Sequence, residues 1–312
     1  MIKKFSTMKV GDDVSFYALI EGLLLRFTPN KSSYYSANLS DGEQIVDARI
    51  WDTTIVENNN LEKGKVYYFD AHINEYGGKP QFVIKNARQV SEDEIDKKEF
   101  FRSAPINEET LRKEIKRYIN QIENPILKKI VVEVISKVST EYFSYPAAMS
   151  MHHNYASGLA YHTYSMLRLA DTYLDIYPGM SKDLLYAGTI IHDIGKTKEL
   201  SGIYGTTYTC EGNLLGHIVI GLQMIAKASV ALGIEDTEEV RVLSHMIASH
   251  HGELEYGSPK EPCTLEAYAL HFMDLADAKM AAISAEVVKT EKGKSTNPVG
   301  SIGRKAIYRP EI

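Results

Sequence analysis

An adjacent histidine and aspartate, His192 and Asp193, are the most informative feature of this sequence, and they lie in the run Thr189-Ile-Ile-His-Asp-Ile-Gly-Lys196. An imidazole and a carboxylate can bind one metal ion, and the carboxylate has a second oxygen for a second ion. Lys196 follows at a distance from which its ammonium group could reach a phosphate. The pair alone is weak evidence, because a His-Asp dipeptide at a helix end also arises by chance.

Further histidines and an aspartate argue against chance. They lie on segments with helical apolar spacing: His162, His217, His250, His251 and Asp274. His162 shares a helical face with Leu159 and Met166, so its imidazole is predicted to point into a helical bundle. Asp274 follows Leu270 by four residues and is also predicted to face inward. A buried carboxylate costs several kcal/mol unless it is paired, so this position indicates a cation.

The number of these side chains predicts two metal ions rather than one. We expect two sites joined by a bridging Asp193, the first with His162, His192 and Asp274 and the second with His217, His250 and His251. Imidazole and carboxylate ligands without a thiolate suit borderline to hard divalent ions. We therefore expect manganese, with cobalt, iron, nickel or zinc as alternatives.

Capping residues predict where the helix before the His-Asp pair begins and ends. Ser181 is its predicted N-cap, and Gly195 is predicted to close it in the usual C-terminal position. This assignment places His192 and Asp193 in the last turn of the helix. The other ligand helices are predicted over residues 156–173, 238–251 and 265–280, with a further long helix around His217.

The positions of His162, His192, Asp193 and Asp274 resemble the pattern of the HD-domain metal-dependent phosphohydrolases: a first histidine, a His-Asp pair and a late aspartate. Two longer stretches resemble the YhaM-type 3′-to-5′ exoribonucleases: His250-His-Gly-Glu-Leu-Glu-Tyr-Gly-Ser-Pro-Lys-Glu-Pro262 and Glu266-Ala-Tyr-Ala-Leu-His-Phe-Met-Asp-Leu-Ala-Asp-Ala-Lys279. This resemblance covers nearly the whole chain and implies an N-terminal OB-fold followed by an HD domain. HD-type cyclic-dinucleotide phosphodiesterases carry Gly-Tyr-Pro after their His-His, and Tyr256-Gly-Ser-Pro259 departs from that pattern.

The first 90 residues predict β-strands separated by turns. Segments rich in β-branched and aromatic residues predict strands over 14–27, 33–39, 44–51, 66–75 and 81–90. Asp41-Gly42 and Gly77-Gly78 mark two tight turns between them. Five strands with a break between the third and the fourth match the small Greek-key barrel called the OB-fold. Other small barrels fit the strand pattern equally well, and the family resemblance favours the OB-fold.

The strand region contains as many acidic as basic residues, so its affinity for nucleic acid is expected to depend more on stacking than on phosphate attraction. At least half of its aromatic residues are expected to fill the barrel. The predicted exposed platforms for bases, near turns, are Tyr34, Tyr35 and Tyr76. The predicted phosphate contacts beside them are Arg26, Lys31 and Lys79.

The chain is predicted to be a multidomain β + α protein. An OB-fold barrel is expected over residues 1–90, a charged linker over 91–110, an all-α HD-domain helical bundle over 111–290 and a C-terminal tail over 291–312. The tail could pack near the active site or onto a neighbouring subunit, and the sequence leaves both open. It also leaves open whether the protein is a homo-oligomer.

The composition predicts a cytoplasmic protein without a membrane segment. The net charge of −6 argues against a protein that coats nucleic acid by bulk electrostatics. No apolar run is expected to approach the roughly 20 residues that span a bilayer, and the N-terminus lacks the apolar stretch of a signal peptide. Cys210 and Cys263 are far apart in the sequence and are predicted to be reduced thiols.

The family resemblance and the ligand set together predict a metal-dependent 3′-to-5′ exoribonuclease that releases nucleoside 5′-monophosphates from single-stranded RNA, with single-stranded DNA left open. Asp193 is the predicted bridge between the metals and Lys196 the predicted ligand of a phosphoryl oxygen. Two alternatives remain: a small-nucleotide phosphohydrolase with a regulatory barrel, and a protein that binds a DNA element. His152 and His153 could contact substrate or cap a helix. By contrast, His245 and His271 are predicted to be structural.

Overall fold

The computed structural model describes residues 3–91, 94–100, 103–148, 155–203 and 206–312. Contacts between residues divide the chain into two compact units, Met1–Arg102 with Tyr204–Thr206 and Ser103–Ile203 with Thr207–Ile312. The first unit is a β-barrel and the second is helical. Each unit has its own hydrophobic core.

The N-terminal unit is a closed five-stranded barrel with the strand order β1-β2-β3-β5-β4. Its strands are β1 (Asp13–Phe27), β2 (Ser33–Ser40), β3 (Ile45–Ile50), β4 (Val66–Tyr76) and β5 (Lys79–Gln89), and the helix α1 (Thr54–Asn58) lies between β3 and β4. All neighbouring strands are antiparallel except β3 and β5, which are parallel. This order is that of a Greek-key OB-fold barrel, so the predicted fold is confirmed.

Strand β1 pairs with a different neighbour along each half of its length. Its first half pairs with β4 and its second half with β2, and the register shifts between Ile20 and Gly22. A bulge of this kind bends a strand and lets a small barrel close. The predicted strand bounds differ from the observed ones most at β5, which begins two residues earlier. Gly77 and Gly78 both have positive φ, and the resulting tight turn lets Tyr76 pair with Lys79.

The second unit is a bundle of helices. Its helices are α2 (Glu108–Gln121), α3 (Pro125–Lys137), α4 (Ser139–Ser144), α5 (Gly158–Ile176), α6 (Lys182–Ile191), α7 (Lys196–Glu199), α8 (Cys210–Leu232), α9 (Glu238–Ser249) and α10 (Leu265–Lys289). Side-chain caps fix several of their starts: the Asn124 side chain accepts from two backbone N–H groups of α3, and the Ser181 hydroxyl accepts from the N–H of Leu184. Ser181 is therefore the N-cap that its sequence predicts.

The C-terminal tail packs back onto the last helix. Bridges between Ser295 and Tyr308 and between Val299 and Lys305 make it a short hairpin. At its base, the Arg309 guanidinium donates to the carbonyl oxygens of Val287, Val288 and Thr290 at 3.2, 3.2 and 2.6 Å. These carbonyls belong to the last turn of α10 and to its C-cap residue Thr290, so Arg309 closes the C-terminus of α10.

Among the described helices, α8 is the one that is long and apolar enough to cross a membrane, judged by length and composition alone. From the sequence we expected no apolar segment near the roughly 20 residues that span a bilayer, and this expectation was wrong for α8, which has 23 residues. The finding is weak evidence of a membrane segment, because core helices pass the same test. In this chain Gly216 interrupts α8 with non-helical backbone, and the residue that follows it is the predicted ligand His217.

Candidate metal centre

Five helical segments bring the predicted metal ligands together. The first histidine is on α5, the His-Asp pair follows α6, His217 is on α8, the His-His pair follows α9 and Asp274 is on α10. His162, His192 and His250 are fully buried, and Asp193 is 3% exposed. The apolar spacing thus predicted correctly that His162 faces inward.

The end of α6 differs from its prediction. The helix ends at Ile191, and His192 is its C-cap, so His192 and Asp193 lie in the turn that joins α6 to α7. Gly195 does not adopt the left-handed conformation of a helix-closing glycine, because its φ is −61°. Its importance is steric: a Cβ at Gly195 would lie 1.9 Å from the carbonyl oxygen of His217. The glycine lets the turn approach the backbone of α8.

We expect Gly195→Ala to reduce activity by up to about 100-fold, because the added methyl group must displace His217 by the order of an ångström. Overpacking should also lower the free energy of unfolding by about 1–3 kcal/mol. Steady-state kinetics and thermal unfolding measure the two effects. The control is Gly300→Ala, since no atom lies within 4 Å of a Cβ built there. Equal activity of both variants would show that this close approach is unimportant.

The two carboxylate oxygens of Asp193 face different groups of histidines. Oδ2 lies 3.3 Å from Nε2 of His192 and 3.8 Å from Nε2 of His162. Oδ1 lies 3.6 Å from Nε2 of His217 and 3.8 Å from Nε2 of His250. Asp193 therefore lies between two sets of ligand atoms, the geometry that a bridging carboxylate requires.

Each set is compact enough to hold one ion. Ligand atoms of His162, His192 and Asp193 lie within 4.8 Å of one another, and so do those of His217, His250 and His251. Asp274 belongs with the first set, because its Oδ1 lies 3.2 Å from Nε2 of His162. The division of ligands between the two sets is the one that the sequence predicts.

All five imidazoles direct Nδ1 to an oxygen and Nε2 toward the centre. Three of the acceptors are backbone carbonyl oxygens: His192 faces that of Thr189, His250 that of Ile247 and His251 that of Tyr256. The other two are carboxylates: His162 faces Asp277, and His217 faces Glu199. These oxygens can only accept, so Nδ1 carries the proton in each hydrogen bond. Metal-binding histidines are held in this way in proteins, since the arrangement fixes the tautomer and leaves Nε2 as the ligand.

Three buried atoms of the second set have no hydrogen-bond partner among the described residues: Oδ1 of Asp193, Nε2 of His217 and Nε2 of His250. A buried polar atom without a partner costs about 1–3 kcal/mol. Oδ1 of Asp193 lies 3.6 and 3.8 Å from Nε2 of His217 and His250, so one cation between these acceptors would satisfy them together. The residues present therefore fit a divalent metal ion.

Ion pairing sets the charges of the first set. Burial alone would lower the pKa of His162, but hydrogen bonds to Asp274 and Asp277 outweigh it and raise the pKa to about 10. Without metal, His162 thus holds a proton that a divalent ion must displace. Burial alone would raise the pKa of Asp193, but the Lys196 ammonium beside it holds that pKa well below its usual range. The Lys196 ammonium lies 2.7 Å from Oδ2 of Asp193.

Two rings on the outer face of the barrel form a stacked pair. Tyr34 on β2 and Trp51, just after β3, have ring centroids 4.7 Å apart and planes inclined by 33°. The Arg49 guanidinium lies 5.8 Å from the Tyr34 ring centroid, and Arg26 is the cross-strand neighbour of Tyr34 on β1. Half of the Trp51 surface is exposed. The cluster offers a π-face to a base with cationic groups beside it.

The other predicted barrel residues lie beside two turns, except Tyr35, which is partly buried against the core. Lys31 is exposed in the β1–β2 turn, and Tyr76 and Lys79 are exposed beside the β4–β5 turn. Tyr35 is different, because it alternates with Tyr34 and packs against the barrel core. The expectation of an exposed ring at Tyr35 was wrong, since β2 directs every second side chain inward.

Comparisons with known proteins agree with this geometry. Residues 159–279 match the family model described as HD domain. The 3′-5′ exoribonuclease YhaM of Bacillus velezensis is 37% identical over 311 residues, 99% of each chain. YhaM of Bacillus subtilis (strain 168) is 38% identical over the same extent. The chain belongs to the YhaM family. The resemblance predicted from the sequence is confirmed.

The barrel of this YhaM-family chain is also similar to part of a solved structure. The second OB-fold domain of replication protein A from Methanococcus maripaludis covers 29% of this chain and 96% of its own, with 11% identity and a TM-score of 0.24. That score is too low to carry an argument. The OB-fold assignment rests on strand order.

The carboxylates Asp277 and Glu199 were missed by sequence reasoning. Asp277 follows Asp274 by three residues on α10 and so reaches the same face. That spacing was a usable signal. Glu199 had none, because its approach to His217 depends on the break in α8 and on the close packing of α7 against α8.

Two histidines outside the ligand set, His245 and His271, hydrogen-bond or lie close to the backbone. His245 lies 3.0 Å from the backbone nitrogen of Cys263, and Nδ1 of His271 lies 2.9 Å from the carbonyl oxygen of His250. Both therefore make structural contacts, as predicted. His152 and His153 lie outside the described residues.

Proposed function

We propose that this protein is a metal-dependent 3′-5′ exoribonuclease that hydrolyses single-stranded RNA to nucleoside 5′-monophosphates with two divalent ions, manganese first among them. Its similarity to YhaM proteins over nearly the full length supports the activity. The observation that carries the two-ion proposal is the position of Asp193, whose two oxygens face separate sets of histidines. We also propose a cytoplasmic location, as its composition predicts.

The predicted ligands would bind two metal ions at this centre. His162, His192 and Asp274 would hold one ion and His217, His250 and His251 a second, and Asp193 would contribute to both. When bound, two divalent ions supply a water of lowered pKa for in-line attack and neutralise charge on the phosphoryl group. The carbonyls and carboxylates that accept from the five Nδ1 atoms keep the imidazoles in place for this reaction.

Lys196 is the residue best placed to bind the scissile phosphate. Burial alone would lower the pKa of Lys196, but the negative charge of the adjacent Asp193 outweighs this effect and raises the pKa above its usual value. The ammonium group therefore stays charged. Its side chain keeps 15% of its surface exposed. A compact ammonium group suits a non-bridging phosphoryl oxygen.

The barrel supplies binding to the unpaired strand. Stacking on Tyr34 and Trp51 favours unstacked bases and is tolerant of sequence, because every base has a π-face. Stacking alone does not distinguish ribose from deoxyribose, so single-stranded DNA is a second substrate to test.

Three RNAs test the proposed polarity: a 5′-labelled unstructured strand, the same strand with a 3′ hairpin, and a circle. With Mn²⁺, the linear strand should shorten progressively from its 3′ end and release nucleoside 5′-monophosphates. The hairpin should stop digestion, and the circle should stay intact. Cleavage of the circle, or short labelled products at the earliest times, would identify an endonuclease and overturn the proposal.

A further inference from the structure

Glu199 on α7 makes two contacts with the same residue. Its Oε1 accepts a hydrogen bond from the backbone N–H of His217 at 3.0 Å and lies 3.2 Å from Nδ1 of that imidazole. The Glu199 side chain is 11% exposed. One carboxylate oxygen therefore fixes both the main chain and the ring of a predicted ligand.

The backbone around His217 explains why it needs this support. Gly216 has φ 70° and ψ 160°, so α8 is interrupted immediately before the ligand. That conformation is close to exclusive to glycine. A Cβ at Gly212, in the first arm of α8, would lie 2.3 Å from the carbonyl oxygen of Glu199. The break and the close packing bring Glu199 to the N–H of His217. On the other side, Gly195 lets the turn between α6 and α7 approach the carbonyl oxygen of His217.

Carboxylates hold one imidazole in each set of ligands. Asp277 holds His162 at 2.7 Å in the first set, and Glu199 holds His217 in the second. The other three imidazoles donate to backbone carbonyls, which are part of the fold. Replacing a side-chain acceptor can therefore weaken one set of ligands and leave the other in place.

We propose that Glu199 is the positioning residue of the second metal site, acting through His217, and that Asp277 is its counterpart for the first site. This inference rests on the proposed two-ion function. Outer carboxylates of this kind typically affect metal affinity by about 10- to 100-fold. The effect of Glu199 should fall on one ion of the two.

The test is calorimetric titration of the metal-free protein with Mn²⁺ alone. The native protein should bind two equivalents. Glu199→Ala should keep one equivalent unchanged and weaken the other by about 10- to 100-fold. Glu199→Gln keeps an oxygen that accepts from the same two donors, so it should bind both ions within about threefold of native. Glu199→Asp keeps the charge but is too short, so it should behave like the alanine variant.

Two controls separate the outcomes. Glu211→Ala changes an exposed glutamate on the first arm of α8 and should bind two ions as the native protein does. Asp277→Ala removes the acceptor of His162 and should weaken the other ion. Unchanged binding of both ions to Glu199→Ala and Glu199→Asp would overturn the inference, and so would loss of an ion in Glu199→Gln but not in Glu199→Asp. One equivalent or fewer for the native protein would instead overturn the two-ion function.

Discussion

Replacing Asp193 with alanine should abolish RNA hydrolysis. Asp193 contacts ligands of both sets, so its loss removes an oxygen from each proposed ion at once. Charge stabilisation by metal ions is worth several kcal/mol in such reactions, which corresponds to a loss of about 10³-fold or more. The rate is measured on a 5′-labelled single-stranded RNA with saturating Mn²⁺.

Binding of RNA should survive this substitution, because the stacked rings of the barrel do not involve Asp193. Fluorescence anisotropy with labelled RNA should give a Kd within about threefold of native, since binding remote from the reacting bond is separate from catalysis. The matched control is Asp175→Ala, an exposed aspartate late in α5. Hydrolysis by Asp193→Ala at a rate near that of this control would show that the chemistry lies elsewhere.

Removing the stacked rings of the barrel should raise KM for long RNA with little change in kcat. Each ring that stacks on a base contributes about 1–3 kcal/mol, so Trp51→Ala should raise KM by about 5- to 150-fold and Tyr34→Ala by a similar factor. The effect on a dinucleotide should be much smaller, because a dinucleotide does not need to occupy the barrel while it reacts.

Another aromatic pair provides the matched control. Tyr17 and Tyr68 have ring centroids 4.8 Å apart, and the Arg88 guanidinium lies over Tyr68, but these residues are on β1 and β4. Tyr68→Ala should leave KM within about twofold of native, because β2 and β3 carry the nucleic-acid face of an OB-fold. Equal increases in KM for Tyr68→Ala and Trp51→Ala would contradict the assigned face.

The sequence predicted the elements that depend on short-range patterns. Segments rich in β-branched and aromatic residues predicted the five strands, and helical spacing predicted that His162 would be buried. These predictions succeeded because a periodic apolar face must be buried wherever the chain folds. The rings of Tyr34 and Tyr35 could have been separated by the same rule, since neighbours on a strand face opposite sides.

The remaining features depend on contacts between distant segments. Gly195 suggested a helix end, but its role comes from the carbonyl oxygen of His217, more than twenty positions later. Glu199 reaches His217 only because α8 breaks at Gly216, and Trp51 joins Tyr34 only through the β2–β3 register. Such approaches are set by tertiary packing, so single-sequence patterns do not contain them.

The central claim is that two divalent ions sharing Asp193 carry out RNA hydrolysis. The most direct test is to titrate the metal-free protein with Mn²⁺ while following both bound metal and hydrolysis of single-stranded RNA. We expect hydrolysis to rise with the second equivalent, to level off near two ions per chain and to vanish when a chelator is added. Full activity with one ion per chain or fewer, or activity that survives the chelator, would contradict the account.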